Sequence, residues 1–192
     1  MTAAVTDDPR ALVAQAQAGD ERAFAELVRL YADRLFRFLS ARGVGAEDAR
    51  DLVQETFLRA WRALDRFDPK YAFSTWLYTI AHRLALNLRA RESRRPHVPL
   101  AEDAVGAAAQ PGEADDARPA GLWAVARENL AERDYHALWL YYAEEQDMRG
   151  VAQVLGVTSL HARVIVHRAR ARLAKLVTAD GAAAGLAAGH AP

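Results

Sequence analysis

The sequence predicts an all-α protein made of two small helical domains joined by a flexible linker. Apolar residues recur at three- and four-residue steps in several stretches, the period that puts a stripe on one face of a helix. Helix start and stop signals bracket those stretches. A segment rich in Pro, Ala, Gly and acids, with too few large apolar residues to build a core, separates them into two groups. The expected layout is a first domain over residues 10–95, an acidic linker over 96–120, a second domain over 121–177 and a disordered Ala- and Gly-rich tail over 178–192.

Asp8 followed by Pro9 starts a first helix, because Pro is tolerated where the backbone N–H has no helical partner, and Gly19 stops it. Asp20 opens a second helix whose inward stripe is Phe24, Leu27, Val28, Tyr31, Leu35, Phe38 and Leu39. After Gly43 and Gly45 a third helix is predicted over residues 46–66, burying Val53, Phe57, Ala60, Trp61 and Leu64. Its other side sets Leu58 among Asp51, Gln54, Glu55 and Arg62. That mixture suits a protein interface with an apolar anchor and a polar surround, or a solvated face with one incidental leucine.

Asp68-Pro69 breaks the third helix, and the loop over residues 67–75 holds three aromatics and Lys70 before a fourth helix, with Ser74 or Thr75 expected as its cap. Leu77, Ile80, Ala81, Leu84 and Leu88 form the inward stripe of that helix, while Thr79, His82, Arg83, Leu86, Asn87 and Arg89 fall mostly outside it. The second domain begins near Leu122 or Trp123 and carries Val125, Leu130, Leu138, Leu140 and Tyr141 before a polar turn at residues 144–147. A short helix with Ala152, a tight turn at Gly156 and a longer helix with Ala162, Ile165, Val166, Ala169 and Leu173 then fit a helix-turn-helix.

The formal net charge is zero, yet the charges are segregated. Between residues 76 and 95 the cations Arg83, Arg89, Arg91, Arg94 and Arg95 face the single acid Glu92, and residues 160–177 hold Arg163, Arg168, Arg170, Arg172 and Lys175 with no acid. Residues 100–120 carry Glu102, Asp103, Glu113, Asp115 and Asp116 against Arg118. Two basic segments flanking an acidic one point to nucleic acid as a partner, because phosphate attraction needs cations on an exposed face.

Other function classes lack their signatures. There is no cysteine, so disulfides and thiolate metal sites are out, and the cytoplasm is the expected compartment. No signal sequence or membrane-spanning run is expected. No P-loop, HExxH, G-x-S-x-G or dinucleotide-binding glycine pattern occurs, so no catalytic residue, cofactor or metal site is assigned. His161 and His167 stand six residues apart on one helix, which points them to different faces and not at one metal ion.

DLVQETFLRAW at residues 51–61 and FSTWLYTIA at residues 73–81, in combination with the helix-turn-helix, give the chain its resemblance. It resembles bacterial RNA polymerase sigma factors of the sigma-70 family, in the small extracytoplasmic-function group that keeps only the second and fourth conserved regions. The resemblance covers residues 10–95 and 122–176. It implies a region 2 helical bundle and a region 4 helix-turn-helix, with core RNA polymerase and promoter DNA as partners, an anti-sigma factor as a further one, and no catalysis.

Carried over by matching positions, it implies that Asp51, Gln54, Glu55, Leu58 and Arg62 hold the polymerase. Lys70, Tyr71, Ser74, Thr75, His82, Arg83, Asn87 and Arg91 would meet the melted minus-10 element, where loop aromatics stack on unpaired bases. Ser159, His161, Arg163, His167 and Arg168 would meet the minus-35 element. The linker would thread the polymerase cleft, or serve as a solvated spacer.

Two departures stand out. After the Ile-Ala pair, where similar proteins carry a basic residue and then asparagine, this chain has His82 and Arg83. In the recognition helix Leu160, Val164 and Ile165 occupy a stretch that is more polar in the family, Ile165 taking a position that normally contributes charge. Either the helix still enters the major groove, with apolar groups meeting thymine methyls, or it is partly given over to a protein. A stand-alone helix-turn-helix regulator, and a sigma-like regulator with altered or lost minus-35 selectivity, are the alternatives.

Overall fold

The computed structural model describes residues 8–93 and 120–188, with side chains over 8–93 and 121–178. Every regular element among them is helical. The chain divides into two compact units, residues 1–110 and 111–192. The expected linker, apart from Ala120, lies outside the described residues, as do Arg94 and Arg95.

In the first unit α1 spans Pro9–Gln17, α2 Glu21–Ala41, α3 Ala46–Ala63 and α4 Phe73–Glu92. The Asp8 carboxylate accepts from the backbone N–H of Arg10, and that of Asp20 from Arg22 and Ala23, which satisfies donors that have no partner inside a helix. Gly19 between them has a φ of 93°, a left-handed conformation that costs glycine little. The core is a seam in which Leu27, Leu35, Phe38 and Leu39 of α2, and Leu77 and Tyr78 of α4, are completely buried. The rings of Phe38 and Tyr78 meet edge to face at 5.1 Å.

α3 ends earlier than expected, at Ala63, and the chain tightens into a 3-10 turn over Leu64–Arg66. The Gln17 side-chain amide at the end of α1 donates to the carbonyls of Leu64 and Phe67, at 2.9 Å each. This ties the start of the 67–75 loop to α1. The expected side-chain cap of α4 is absent: Ala72 occupies the cap position and makes no side-chain bond.

α4 is covered on more than the one stripe that periodicity reveals, because α1, α2 and α3 all pack against it. Thr75, Thr79 and His82 are consequently buried with Leu77, Ala81 and Leu84. Thr79 answers its burial by donating its hydroxyl to the carbonyl of Thr75 at 2.8 Å. For His82, burial first, and then the positive charges of Arg42 and Arg83, push the imidazole down to about 4. His82 is therefore neutral at physiological pH.

In the second unit α5 spans Ala120–Asn129, α6 Glu132–Leu138 with a π-helical continuation Trp139–Ala143, α7 Met148–Leu155 and α8 Ser159–Ala188. Leu138, Leu140, Val151, Val154, Ala162, Ile165, Val166 and Ala169 form its core. The indole rings of Trp123 and Trp139 lie 4.9 Å apart beside it. Asp147 caps α7 by accepting from Gly150 at 2.6 Å. Gly156 ends α7 in the left-handed region, and its N–H returns to the carbonyls of Ala152 and Gln153. The Thr158 hydroxyl oxygen then accepts from the His161 N–H at the head of α8.

Two expectations are corrected here. α8 runs on through Ala188, past the expected start of a disordered tail at 178, since alanine, abundant there, is the strongest helix former. Residues 189–192 lie outside the described residues. Ile165 is buried in the helix-turn-helix core, so it does not displace a charge from the exposed face.

Two consequences are measurable. At Gly156 a methyl group would meet nothing within 4 Å, so Gly156→Ala is charged only with the left-handed backbone and should destabilise the second unit by about 1 kcal/mol in urea unfolding. An unchanged midpoint would refute the assigned turn. For His82 the unfolded chain binds a proton near its ordinary 6.5 that the folded chain refuses until about 4. Its contribution to stability is thus fully present above 6.5 and is lost as pH falls toward 4. His82→Gln should flatten that part of the stability profile, and parallel losses in the two proteins would refute a buried neutral His82.

Candidate functional site

The outward side of α3 presents Asp51, Gln54 and Arg62 exposed, Glu55 half-buried and Leu58 43% exposed. Glu55 is held by Arg59, one turn on, with Nε 2.6 Å from the carboxylate. A surface pair of this kind adds little stability.

Beside this face runs an apolar groove between α2 and α3, lined by Phe24, Val28, Val53, Phe57, Leu58 and Trp61. Trp61 was expected on the buried side of α3, but it is 38% exposed and leans on Phe24 with ring centroids 4.7 Å apart. Phe24 belongs to the first turn of α2, so α2 covers one side of the indole and extends no further over it. The periodicity of α3 could not show this, because it reports which residues share a face and not where the neighbouring helix starts.

The 67–75 loop sorts its aromatics. Phe67 and Phe73 are buried and pack edge to face at 5.7 Å, with the Trp76 ring 5.0 Å from Phe67 and 5.7 Å from Phe73. Tyr71 alone of the loop aromatics is offered to solvent, at 61% exposure, next to exposed Lys70. Asp68 shapes the turn beneath them, its carboxylate accepting from the Lys70 N–H at 3.0 Å and its carbonyl from the Tyr71 N–H at 3.1 Å. Ser74 is half-buried. Thr75 and His82, assigned to DNA from sequence, are corrected: both face the interior, and His82 carries no charge with which to meet a phosphate.

Beyond the loop, Arg83, Asn87 and Arg91 follow one another at four-residue steps and are all exposed, making a polar and cationic line along α4. Arg89 does not join it. Its guanidinium donates to the carbonyl of Arg42 and so clasps the end of α2.

In the second unit the exposed face of α8 carries His161, Arg163, His167 and Arg168, with Ser159 half-buried at its head. Leu160 and Val164 are also on this face, 72% and 41% exposed. Among the described residues no group of three or more His, Asp or Glu side chains is placed to hold a metal ion, and no helix is long and apolar enough to cross a membrane.

The family described as sigma-70 region 2 matches residues 27–95, the span that holds α3, the loop and α4. The ECF RNA polymerase sigma-E factor of Haemophilus influenzae is 42% identical over 97 residues, which is 50% of this chain and 51% of that protein. The protein of the same description from Escherichia coli strain K12 is 43% identical over 96 residues, 50% of this chain and 49% of that one. The chain thus spans about half the length of the curated relatives it matches.

Among solved structures, CnrH in complex with the cytosolic domain of CnrY matches with a TM-score of 0.65 and 28% identity, over 90% of this chain and 98% of that one. The sigma factor RpoE of Bartonella quintana, in complex with the anti-sigma factor NepR, shares the fold with a TM-score of 0.62 at 21% identity, over 82% of this chain and 98% of that one. Residues 27–95 thus match the sigma-70 region 2 family, and about half of the chain is similar in sequence to ECF RNA polymerase sigma-E factors.

Proposed function

We propose that this protein is a transcription initiation factor that binds core RNA polymerase, directs it to promoters with minus-10 and minus-35 elements, and promotes strand opening without catalysing a reaction itself. The observation that carries the reading is the α3 face, where an exposed Leu58 stands among Asp51, Gln54, Glu55 and Arg62 inside a sigma-70 region 2 match. An apolar anchor ringed by polar groups is what a protein partner covers, and on this reading the partner is the polymerase.

Promoter opening falls to the loop and α4. Tyr71 stacks on an unpaired base of the minus-10 element while Lys70 holds the adjacent backbone, and Ser74 stands within the same turn. Arg83, Asn87 and Arg91 then follow the neighbouring duplex, Arg83 on phosphate or a guanine edge and the Asn87 amide as donor and acceptor. Binding energy for the open form offsets the cost of unpairing, so no nucleotide hydrolysis is needed. Ser159, His161, Arg163, His167 and Arg168 serve the minus-35 element as the second helix of a helix-turn-helix in the major groove.

Two relatives of known structure were solved with partner chains, CnrY for CnrH and the anti-sigma factor NepR for RpoE. We assign this protein an anti-sigma partner of its own, and the cytoplasm, where polymerase works, as its compartment. A second reading, a sigma-like regulator with altered minus-35 selectivity, draws on the exposed Leu160 and Val164.

Run-off transcription with core polymerase tests the assignment, and absence of a specific product from any promoter in a genomic library would overturn it. Leu58→Glu should weaken core-polymerase binding about tenfold or more at unchanged helicity, as expected for loss of a central apolar anchor. Equal affinity would remove α3 from the interface. Tyr71→Ala should cost about 1–3 kcal/mol in binding to a promoter with an unpaired minus-10 strand and leave affinity for the closed duplex unaltered. An equal loss on both templates would show that Tyr71 does not stack on a flipped base.

A further inference from the structure

We infer that Leu160 and Val164 are base-reading residues which select thymine by its 5-methyl group in the upstream promoter element. The inference rests on the proposed function and sharpens it.

Leu160 and Val164 lie one turn apart on the first two turns of α8, and both are exposed, at 72% and 41%. The apolar residues that follow, Ile165 and Val166, are buried. The structure therefore isolates a compact apolar pair, where sequence alone showed a longer apolar run. In a helix-turn-helix the N-terminal turns of the second helix are the part that reaches base edges.

Cations frame the pair. At 3.6 residues per turn Arg163 lies about 60° to one side of Leu160 and Arg168 about 80° to the other. Both are exposed, Arg170, Arg172 and Lys175 continue the frame, and residues 159–178 contain no acid. An apolar ridge between two rows of positive charge matches a major groove, with phosphates along both walls and methyl groups on its floor. A protein covering the same surface would have to bring acids to both sides of an apolar pocket, and the groove supplies that arrangement by its own structure. Thymine is the one base whose major-groove edge offers an apolar group.

The test uses the full chain bound to core polymerase. An upstream element is first selected from a promoter library randomised in the minus-35 region, and each thymine in it is then replaced by deoxyuridine, which removes the methyl group and keeps every hydrogen bond. Wild type should lose about fourfold in affinity at one or two positions, the scale of a single buried methyl. The doubly substituted L160A/V164A protein should be indifferent to the same replacements. Arg163→Ala should bind more weakly overall, with a salt slope lower by about one, and keep its sensitivity to the missing methyl.

Because both apolar side chains are exposed, the double variant should fold, and Leu160→Gln provides a polar replacement of similar length. A selected element without thymine, or equal sensitivity to deoxyuridine in wild type and L160A/V164A, would overturn the inference and leave the proposed function standing. Absence of any specific initiation by wild type would overturn both.

Discussion

The burial of Phe38 and Tyr78 against each other, at the centre of the α2–α4 seam, is the constraint on which the first unit depends. With Leu27, Leu35, Leu39 and Leu77 it fixes α4 in both rotation and height. Rotation decides that Arg83, Asn87 and Arg91 look outward while Leu84 and Ala85 look in. Height decides where the 67–75 loop must enter, and so where Tyr71 stands. The exposed chemistry is set by an interior that carries none.

The same logic explains what was legible in the sequence. The caps at Asp8 and Asp20, the stops at Gly19 and Gly156, and the apolar stripes of α2 and α8 all follow from local rules that one helix can satisfy alone. Ile165 and Val166 lie on the inward side of α8 as period 3.6 requires, although the family resemblance drew Ile165 toward the exposed face. Among the residues expected to meet partners, Leu58, Lys70, Tyr71, Arg83, Asn87, Arg91, His161, Arg163, His167 and Arg168 are all exposed, and that exposure could be read from their place in a loop or off the inward stripe of a helix.

What escaped the sequence depends on neighbours. Thr75 and His82 are polar residues off the main stripe of α4, and a single helix gives no hint that three others close over it. Trp61 is apolar and in phase with the core of α3, yet it is left half-covered because α2 starts only at Glu21. Phe67 and Phe73 illustrate the reverse: they stand at the two ends of a loop between helices, where one element's period says nothing of burial, and they had each other and Trp76 to bury against. Periodicity gives phase along one element, and these residues are decided by where another element begins or ends.

The two hydrogen bonds from Gln17 give α1 a share in a task it never touches. Because one amide holds the carbonyls on either side of the Leu64–Arg66 turn, the helix nearest the N-terminus works as the hinge pin of the Tyr71 loop. Natural variation in α1 would then be constrained by the geometry of a turn nearly fifty residues away, and a partner gripping α1 would acquire leverage over the placement of Tyr71 without covering the loop that carries it.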